Sequence, residues 1–239
     1  MHILLKYPTR QRPQKFVTNF LGYMDRISEK HEITVVISMD SDDPLMNNDR
    51  IRGFLAKQNQ RGTAKIMYHY GESKGKINAI NRDIPLDVPW DVVVATADDM
   101  EPQENGWDDI IANDMLTEFP DTNGAINYNT DPRLETKIDG RPEGWKGLIT
   151  LPVIGRKLYD RFGYIYHPDY VSESCDDEQT LVFTKLGVLR HIDRRPIFHN
   201  FVPWHDELMV RNMRIGQTVD RQKFLERKAI NFGLPVEIS

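Results

Sequence analysis

Short apolar runs rich in β-branched residues alternate with segments of helical period through the first 128 residues, and this alternation constrains the fold more than any other feature. Residues 2–6, 33–39, 65–70, 91–96 and 124–128 read as strands. Between them, Phe16, Phe20, Tyr23, Met24 and Ile27 recur at helical spacing after Pro13, a residue suited to a first helical turn. Ile51, Phe54 and Leu55 mark a second helix, residues 74–81 a short third, and Trp107, Ile110, Ile111 and Met115 a fourth. The run 91–96 is apolar almost throughout, as a strand buried on both faces must be.

Repeated strand–helix alternation predicts an α/β sandwich around a mostly parallel sheet. Ligands of such sheets bind beyond the carboxyl ends of the strands. Three successive strands are followed by Tyr7-Pro8-Thr9-Arg10, Asp40-Ser41-Asp42-Asp43 and Ala97-Asp98-Asp99, which should face one crevice. Beyond residue 129 the pattern loosens. Residues 129–146 are rich in Pro, Gly and charge and read as a loop; 156–162 read as a helix ended by Gly163, 176–186 as a helix, 188–192 as a strand, and the chain from Trp204 as helices.

Charge separates these regions. Lys+Arg number 31 against 36 Asp+Glu, a formal charge of −5. Residues 185–239 nevertheless hold 10 Lys+Arg against 6 Asp+Glu, so the body is acidic and the tail mildly basic. An acidic body suits carboxylates gathered around a cation, and the tail suits either phosphates or plain solvation. A lone cysteine, Cys175, excludes internal disulfides and paired-cysteine metal sites. The absence of a long apolar run and of a signal-peptide pattern leads us to expect a soluble, cytoplasmic protein.

Asp98-Asp99 is the strongest single feature. Adjacent carboxylates at the end of a buried strand repel, and a bound cation is the natural counter-charge, Mg²⁺ or Mn²⁺ for oxygen ligands. The plain alternative is a pair of loop carboxylates capping the next helix. Asp40, Asp42 and Asp43 follow the second strand in the same way and equally fit an ordinary turn. Asp176, Asp177 and Glu178 open a helix, where acids favour the dipole and where one carboxylate can serve as a general base. His199 and His205 can each add an imidazole to a carboxylate metal site. Gly71-Glu72-Ser73-Lys74-Gly75-Lys76 superficially resembles a phosphate loop, but its spacing is wrong and Ile77 stands where Ser or Thr is required. Lys76 would then lie in a first helical turn, a poor place for a cation unless an anion is near.

Taken in order, these pieces resemble the GT-A glycosyltransferases, in particular the family 2-like enzymes that use nucleotide-diphosphate sugars. The matching residues are Lys6–Pro13, Ser38–Asp43, Gly71–Asn81, Ala97-Asp98-Asp99, Tyr166–Ser172 and Cys175–Glu178, spread over residues 3 to about 205. The resemblance implies a Rossmann-like, mostly parallel central sheet flanked by helices with a helical C-terminal extension. It also implies one domain over 1–239, with 1–128 binding the nucleotide-sugar and 129–239 the acceptor. By the same resemblance Pro8, Thr9, Arg10 and Arg12 and Asp40 or Asp42 hold the nucleoside, and Lys76 lies near base and diphosphate. Asp98-Asp99 then matches the D-x-D region, one carboxylate meeting ribose and the other Mn²⁺ or Mg²⁺, with Thr96 where many members carry the first Asp. Asp176, or Asp177 under a one-residue shift, resembles the general base, and His199 the histidine that closes the metal site.

The implied reaction is inverting transfer from a nucleotide-diphosphate sugar, UDP the expected nucleotide, to a hydroxyl of a glycan, a small molecule or a hydroxymethylated DNA base. The loop 129–146, with Trp145, is placed to cover the substrates. Two other functions compete. A sugar-phosphate nucleotidyltransferase normally needs a glycine-rich loop after strand one, and residues 6–12 contain no glycine. A non-catalytic sugar-nucleotide-binding protein would not need Asp98, Asp99 and Asp176 together.

Overall fold

The computed structural model describes residues 1–130, 147–200 and 206–235. His205 and the loop segment with Trp145 lie outside the described residues. Strands β1 (His2–Thr9), β2 (Glu32–Asp40), β3 (Lys65–Gly71) and β4 (Val92–Ala95) are joined by helices α1 (Pro13–Asp25), α2 (Asp49–Gln60) and α3 (Lys76–Asn81). A short β5 (Met100–Pro102) precedes α4 (Trp107–Glu118), β6 (Ala125–Tyr128), β7 (Val153–Gly155), α5 (Arg156–Phe162) and α6 (Cys175–Lys185). The remainder is β8 (Leu189–Ile192), β9 (Ile197–His199), α7 (Glu207–Ile215), one π-helical turn (Gly216–Asp220) and α8 (Arg221–Ala229).

Seven strands form one sheet in the order β3-β2-β1-β4-β7-β6-β8. β1 lies between β2 and β4, parallel to both, and β2 is parallel to β3. β7 runs antiparallel to both β4 and β6, while β6 and β8 are parallel. Alternate residues of the central strands feed two cores. Ile3, Leu5, Val35, Ile37, Val92 and Val94 pack toward α1, α2 and α4, where Phe16, Phe20 and Trp107 are fully buried. Leu4, Val36, Val93 and Ala95 face α3, α5, α6 and α8. This two-sided burial is why these strands read as unbroken apolar runs.

Local signals set several boundaries. Pro13 opens α1, the Asn48 side chain accepts the Ile51 N–H to cap α2, and Gly163 ends α5 in the left-handed region at φ 74°. Three details depart from the sequence expectation. β1 continues through Thr9, so Tyr7, Pro8 and Thr9 are its last residues rather than the loop after it. α3 starts at Lys76, two residues later than expected. β7 inserts antiparallel between β4 and β6, a direction that three paired residues inside an apolar stretch do not announce.

Candidate active site

The ends of β1, β2 and β4 border a cavity of about 220 Å³. Thr9 Oγ1 donates to Asp98 Oδ2 at 3.1 Å, and Asp98 Oδ1 is buried with no hydrogen-bond partner among the described residues. Burial pushes the Asp98 carboxyl up to about 8. Arg10 Nη1 reaches Asp40 Oδ2 at 2.8 Å and Asp42 Oδ1 at 2.6 Å, and Arg82 donates to the other oxygen of Asp40 at 2.9 Å. Asp43 accepts the backbone N–H groups of Gln11 and Leu45, which makes it a turn residue tying β1 to β2.

A second cavity, of about 260 Å³, adjoins the first, and Arg12, Lys76, Ile80, Ala97 and Asn212 line both. Asp99, His199 and Asp176 meet in it. The link between Asp99 and His199 is built by backbone: β5 and β9 pair antiparallel with Met100 opposite His199, and Asn200 N–H donates to Asp99 O at 2.7 Å. His199 Nε2 thereby comes within 3.7 Å of Asp99 Oδ1. Burial alone would raise the Asp99 carboxyl, but His199, Arg12 and Lys76 outweigh it and hold it below its ordinary value. Thr96 also lines this cavity, its hydroxyl bonded to Tyr23 at 2.6 Å.

Asp98 and Asp99 are neighbours in sequence but line different cavities. They are the central pair of a turn closed by Met100 N–H to Ala97 O at 3.1 Å, and Asn19 donates its side-chain amide to Asp98 O. The turn thus offers one carboxylate to each chamber.

Asp176 stands in the first turn of α6, where burial, with the charges of Asp177 and Glu173, pushes its carboxyl up to about 6. The loop before it is anchored from the C-terminal helices. Asp220, fully buried, accepts the N–H of Val171 at 2.9 Å and those of Ser172 and Glu173 at 2.7 Å each. A Cβ at Gly216 would lie 2.2 Å from Glu173 Cγ, so glycine lets the π turn cross this loop. Gly75, at φ 98°, is pressed against Val171 on the loop's other side and leads into Lys76. Lys76 Nζ lies 3.4 Å from Glu173. Burial works against its charge, yet Glu173, Asp176 and Asp99 push its pKa up to about 12.

Of the residues singled out by sequence, Pro8, Thr9, Arg10, Arg12, Asp40, Lys76 and Asp98 border the first cavity, and Asp99, Asp176 and His199 the second. Asp42 and Asp177 line neither; Asp42 holds Arg10, and the backbone N–H of Asp177 donates to Asp176 Oδ1 at 3.0 Å. Glu178 is committed to structure, taking both arms of Arg227 and the Tyr170 hydroxyl at 2.7 Å each.

Sequence reasoning expected helices from Trp204 but not that α7 lines the first cavity. The helix is capped by Asp206, whose carboxylate also accepts Arg12 in a two-pronged ion pair at 2.8 and 2.9 Å. Leu208, Arg211, Asn212 and Ile215 of α7 wall the first cavity. Lys6, matched by sequence only as the start of the first motif, lines neither cavity; it is buried on β1 and hydrogen-bonded to Ser38 and to Arg82 O. The only signal was a lysine inside an apolar strand.

No protein-family model and no curated protein matches the sequence. Solved structures do. GalNAc-T7, determined with UDP, GalNAc and Mn²⁺, superposes with a TM-score of 0.60 at 13% identity, over 100% of this chain and 52% of that one. S. aureus TarS 1–349 in complex with UDP-GlcNAc gives 0.58 at 13% identity, over 88% and 61%. The mannosyltransferase PcManGT from Pyrobaculum calidifontis, in complex with GDP-Man and Mn²⁺, gives 0.53 at 16% identity, over 81% and 54%. The chain therefore spans between 52% and 61% of these three chains, and 39% of a longer TarS chain. Among the described residues no helix is long and apolar enough to cross a membrane. The order of strands, the mixed seven-stranded sheet and these likenesses establish that the chain has the GT-A fold.

Proposed function

We propose that the protein is a divalent-metal-dependent glycosyltransferase that moves a sugar from a nucleoside-diphosphate donor to an acceptor hydroxyl. The observation that carries this reading is the pair of adjoining chambers divided by Asp98 and Asp99 at the carboxyl end of β4. The nucleoside occupies the first chamber, bordered by Thr9, Arg10, Asp40 and Asp98. The diphosphate lies along the shared wall near Arg12 and Lys76. The sugar then projects into the second chamber, toward Asp176.

Asp99 and His199 are the residues that would hold the metal. Among the described residues no cluster of three or more His, Cys, Asp or Glu is arranged around one point. The carboxylate and imidazole of the Asp99–His199 pair, 3.7 Å apart, suit a cation held by one or two side chains and completed by substrate phosphates and water, the usual habit of Mg²⁺ and Mn²⁺ in nucleotide sites. When bound, the ion supplies positive charge against the departing diphosphate.

Asp176 serves as the base. It takes the proton from the acceptor hydroxyl as that oxygen bonds to the anomeric carbon and the bond to the diphosphate breaks on the opposite face, inverting the configuration. Its raised pKa makes it a stronger base than an ordinary aspartate while leaving it ionised at neutral pH. The acceptor is a glycan, a small molecule or a hydroxymethylated DNA base. Strong salt dependence of binding would mark the DNA case, with the basic segment 185–239 as the contact.

The deciding experiment is calorimetric titration of UDP, GDP and CDP with and without Mn²⁺. Metal-dependent binding of one nucleotide, followed by release of sugar from the matching donor, supports the reading. Failure of all three to bind with metal present sinks it.

A further inference from the structure

Charged groups of alternating sign run from the middle of the sheet to the edge of the first cavity. Lys6, fully buried on β1, donates to Ser38 Oγ and, at 2.7 Å, to the backbone carbonyl of Arg82. Ser38 Oγ donates in turn to Asp83 Oδ2 at 2.5 Å, and Arg82 Nε lies 3.4 Å from the same oxygen. Arg82 Nη2 donates to Asp40 Oδ1 at 2.9 Å, and Asp40 Oδ2 takes Arg10 Nη1 at 2.8 Å. Asp40 and Arg10 border the cavity, whereas Lys6, Asp83 and Arg82 border neither cavity.

Arg82 is pinned to the backbone of the sheet. Its guanidinium donates to Met39 O in β2 at 2.6 Å and to Glu72 O, just past the end of β3, at 2.7 Å. Glycine closes β3 where that guanidinium passes: a Cβ at Gly71 would lie 3.0 Å from Arg82 Cζ. Lys6 holds the carbonyl of Arg82 from β1. Arg10 has no such anchor, because its hydrogen bonds among the described residues go only to the side chains of Asp40, Asp42 and Ser73. The Asp42 side chain is 59% exposed, and an exposed ion pair holds its partner weakly. Asp40 is the buried partner, at 7%. With one oxygen on Arg82 and the other on Arg10, its carboxylate plane is fixed from both sides. The place of Arg10 at the cavity is thus referred, through Asp40 and Arg82, to the strand backbone.

We propose that Arg82 is a positioning residue of the first chamber: it sets the Asp40 carboxylate, which sets Arg10 against the bound nucleoside. This rests on the reading of that cavity as the nucleoside chamber. Arg82 touches no ligand itself. Its removal frees one oxygen of Asp40, so that the carboxylate turns and Arg10 turns with it.

The test is calorimetry with Mn²⁺, using whichever of UDP, GDP and CDP the wild-type chain binds most tightly and, separately, inorganic pyrophosphate. The chains compared are wild type, Arg82→Gln, Arg82→Lys, Arg10→Gln and the double variant Arg82→Gln with Arg10→Gln. The expected result for Arg82→Gln is a loss of about tenfold in nucleotide affinity with pyrophosphate affinity unchanged. Arg82→Lys, which keeps the charge but not the fork, should lose less. Adding Arg82→Gln to Arg10→Gln should cost little more, since the group being positioned is already gone. That last comparison separates positioning from plain support of the fold, which would lower affinity by the same factor in both backgrounds. Where Arg82→Gln shows no cooperative urea transition, Arg82→Lys carries the same comparison in the Arg10→Gln background. Unchanged nucleotide affinity in Arg82→Gln overturns the assignment, and so does an equal loss in the Arg10→Gln background or a parallel loss of pyrophosphate. If the wild-type chain binds none of the three nucleotides, the chamber reading falls before any variant is compared, and this inference falls with it.

Discussion

The carboxylate of Asp220 accepts the backbone N–H of Ser172 at 2.7 Å across 48 residues of chain. Val171 and Glu173 donate to the same carboxylate, so one buried side chain in the π turn shapes the loop that ends at Asp176. An amide cannot replace it, because one of its two polar groups would aim N–H at N–H. Bonds to a charged group contribute on the order of 1.5–3 kcal/mol each, and unmatched buried donors add their desolvation cost. Asp220→Asn is therefore expected to lose on the order of 3 kcal/mol of stability, read from the urea midpoint at constant slope. A loss under about 0.5 kcal/mol would show that the loop holds its shape without it.

Asp176→Asn should keep donor affinity and lower turnover by about 10² to 10⁴. Wild-type activity should rise with pH and level off above about 6, because the base works only when ionised. The Asn variant should lose that acid limb. Normal turnover in Asp176→Asn would remove it from the chemistry, and Asp177→Asn would be the next variant to measure.

Removing either half of the carboxylate–imidazole pair separates metal from nucleotide. Asp99→Ala and His199→Ala are expected to abolish the Mn²⁺-dependent part of donor binding while leaving weak metal-free binding in place. Titrating Mn²⁺ into each variant, with nucleotide absent and then present, reads the two effects apart. Retention of the full metal dependence by Asp99→Ala would place the cation elsewhere.

Lys6 gives a pH signature in stability. Burial, with the nearby positive charge of Arg82, brings its pKa down to about 7 despite Asp83, whereas in the unfolded chain it stays near the ordinary 10.5. Between those values the unfolded chain binds more protons, so this group makes stability rise with pH above about 7. Lys6→Met should show a smaller rise. Urea unfolding of both proteins at about pH 7.5 and about pH 9.5 checks it; parallel behaviour would mean that Lys6 stays charged in the fold.

Gly75→Ala tests the contact between α3 and the loop before α6. A Cβ there would sit 2.7 Å from Val171 Cγ1 and 2.8 Å from its carbonyl oxygen, at a φ that disfavours side chains. The expected cost is about 1–3 kcal/mol, together with weaker nucleotide binding because Lys76 follows directly. A stable variant with unchanged binding would show that the loop yields freely.

Strands buried on both faces announce themselves, and so β1, β2 and β4 were legible as apolar runs, while the partly exposed edge strand β3 and the helices were legible from period and β-branched or aromatic residues. α5 was legible to the residue because Gly163 stops it. Three-residue strands carry no period, which hid β5, β9 and the direction of β7. The acidic residues after the strands gather, as expected, at one end of the sheet, where Asp40, Asp98 and Asp99 border the two cavities. What the sequence could not divide was Asp98 from Asp99, since that split comes from one turn closed by backbone. Nor could it separate Asp43, a turn brace, from Asp40 beside it, because both are aspartates after a strand and only their hydrogen-bond partners differ. α7 looked like a basic surface helix; the ion pair that lays it over the cavity joins Arg12 to Asp206 from opposite ends of the chain.

With Asp99 and His199 proposed as the metal ligands, the β5–β9 ribbon is also what brings the two together. Asp98 and Asp99 emerge early in synthesis, together with the four parallel strands that support them. His199 follows a hundred residues later and reaches Asp99 only after β9 has docked on β5. Until then the acidic turn is an all-oxygen ligand, suited to whichever hard cation is abundant. Adding the imidazole tilts the preference toward transition metals. On that reading the finished pairing of β9 with β5 is what would bring an imidazole to the acidic turn, and a chain lacking it would offer a cation oxygen ligands alone.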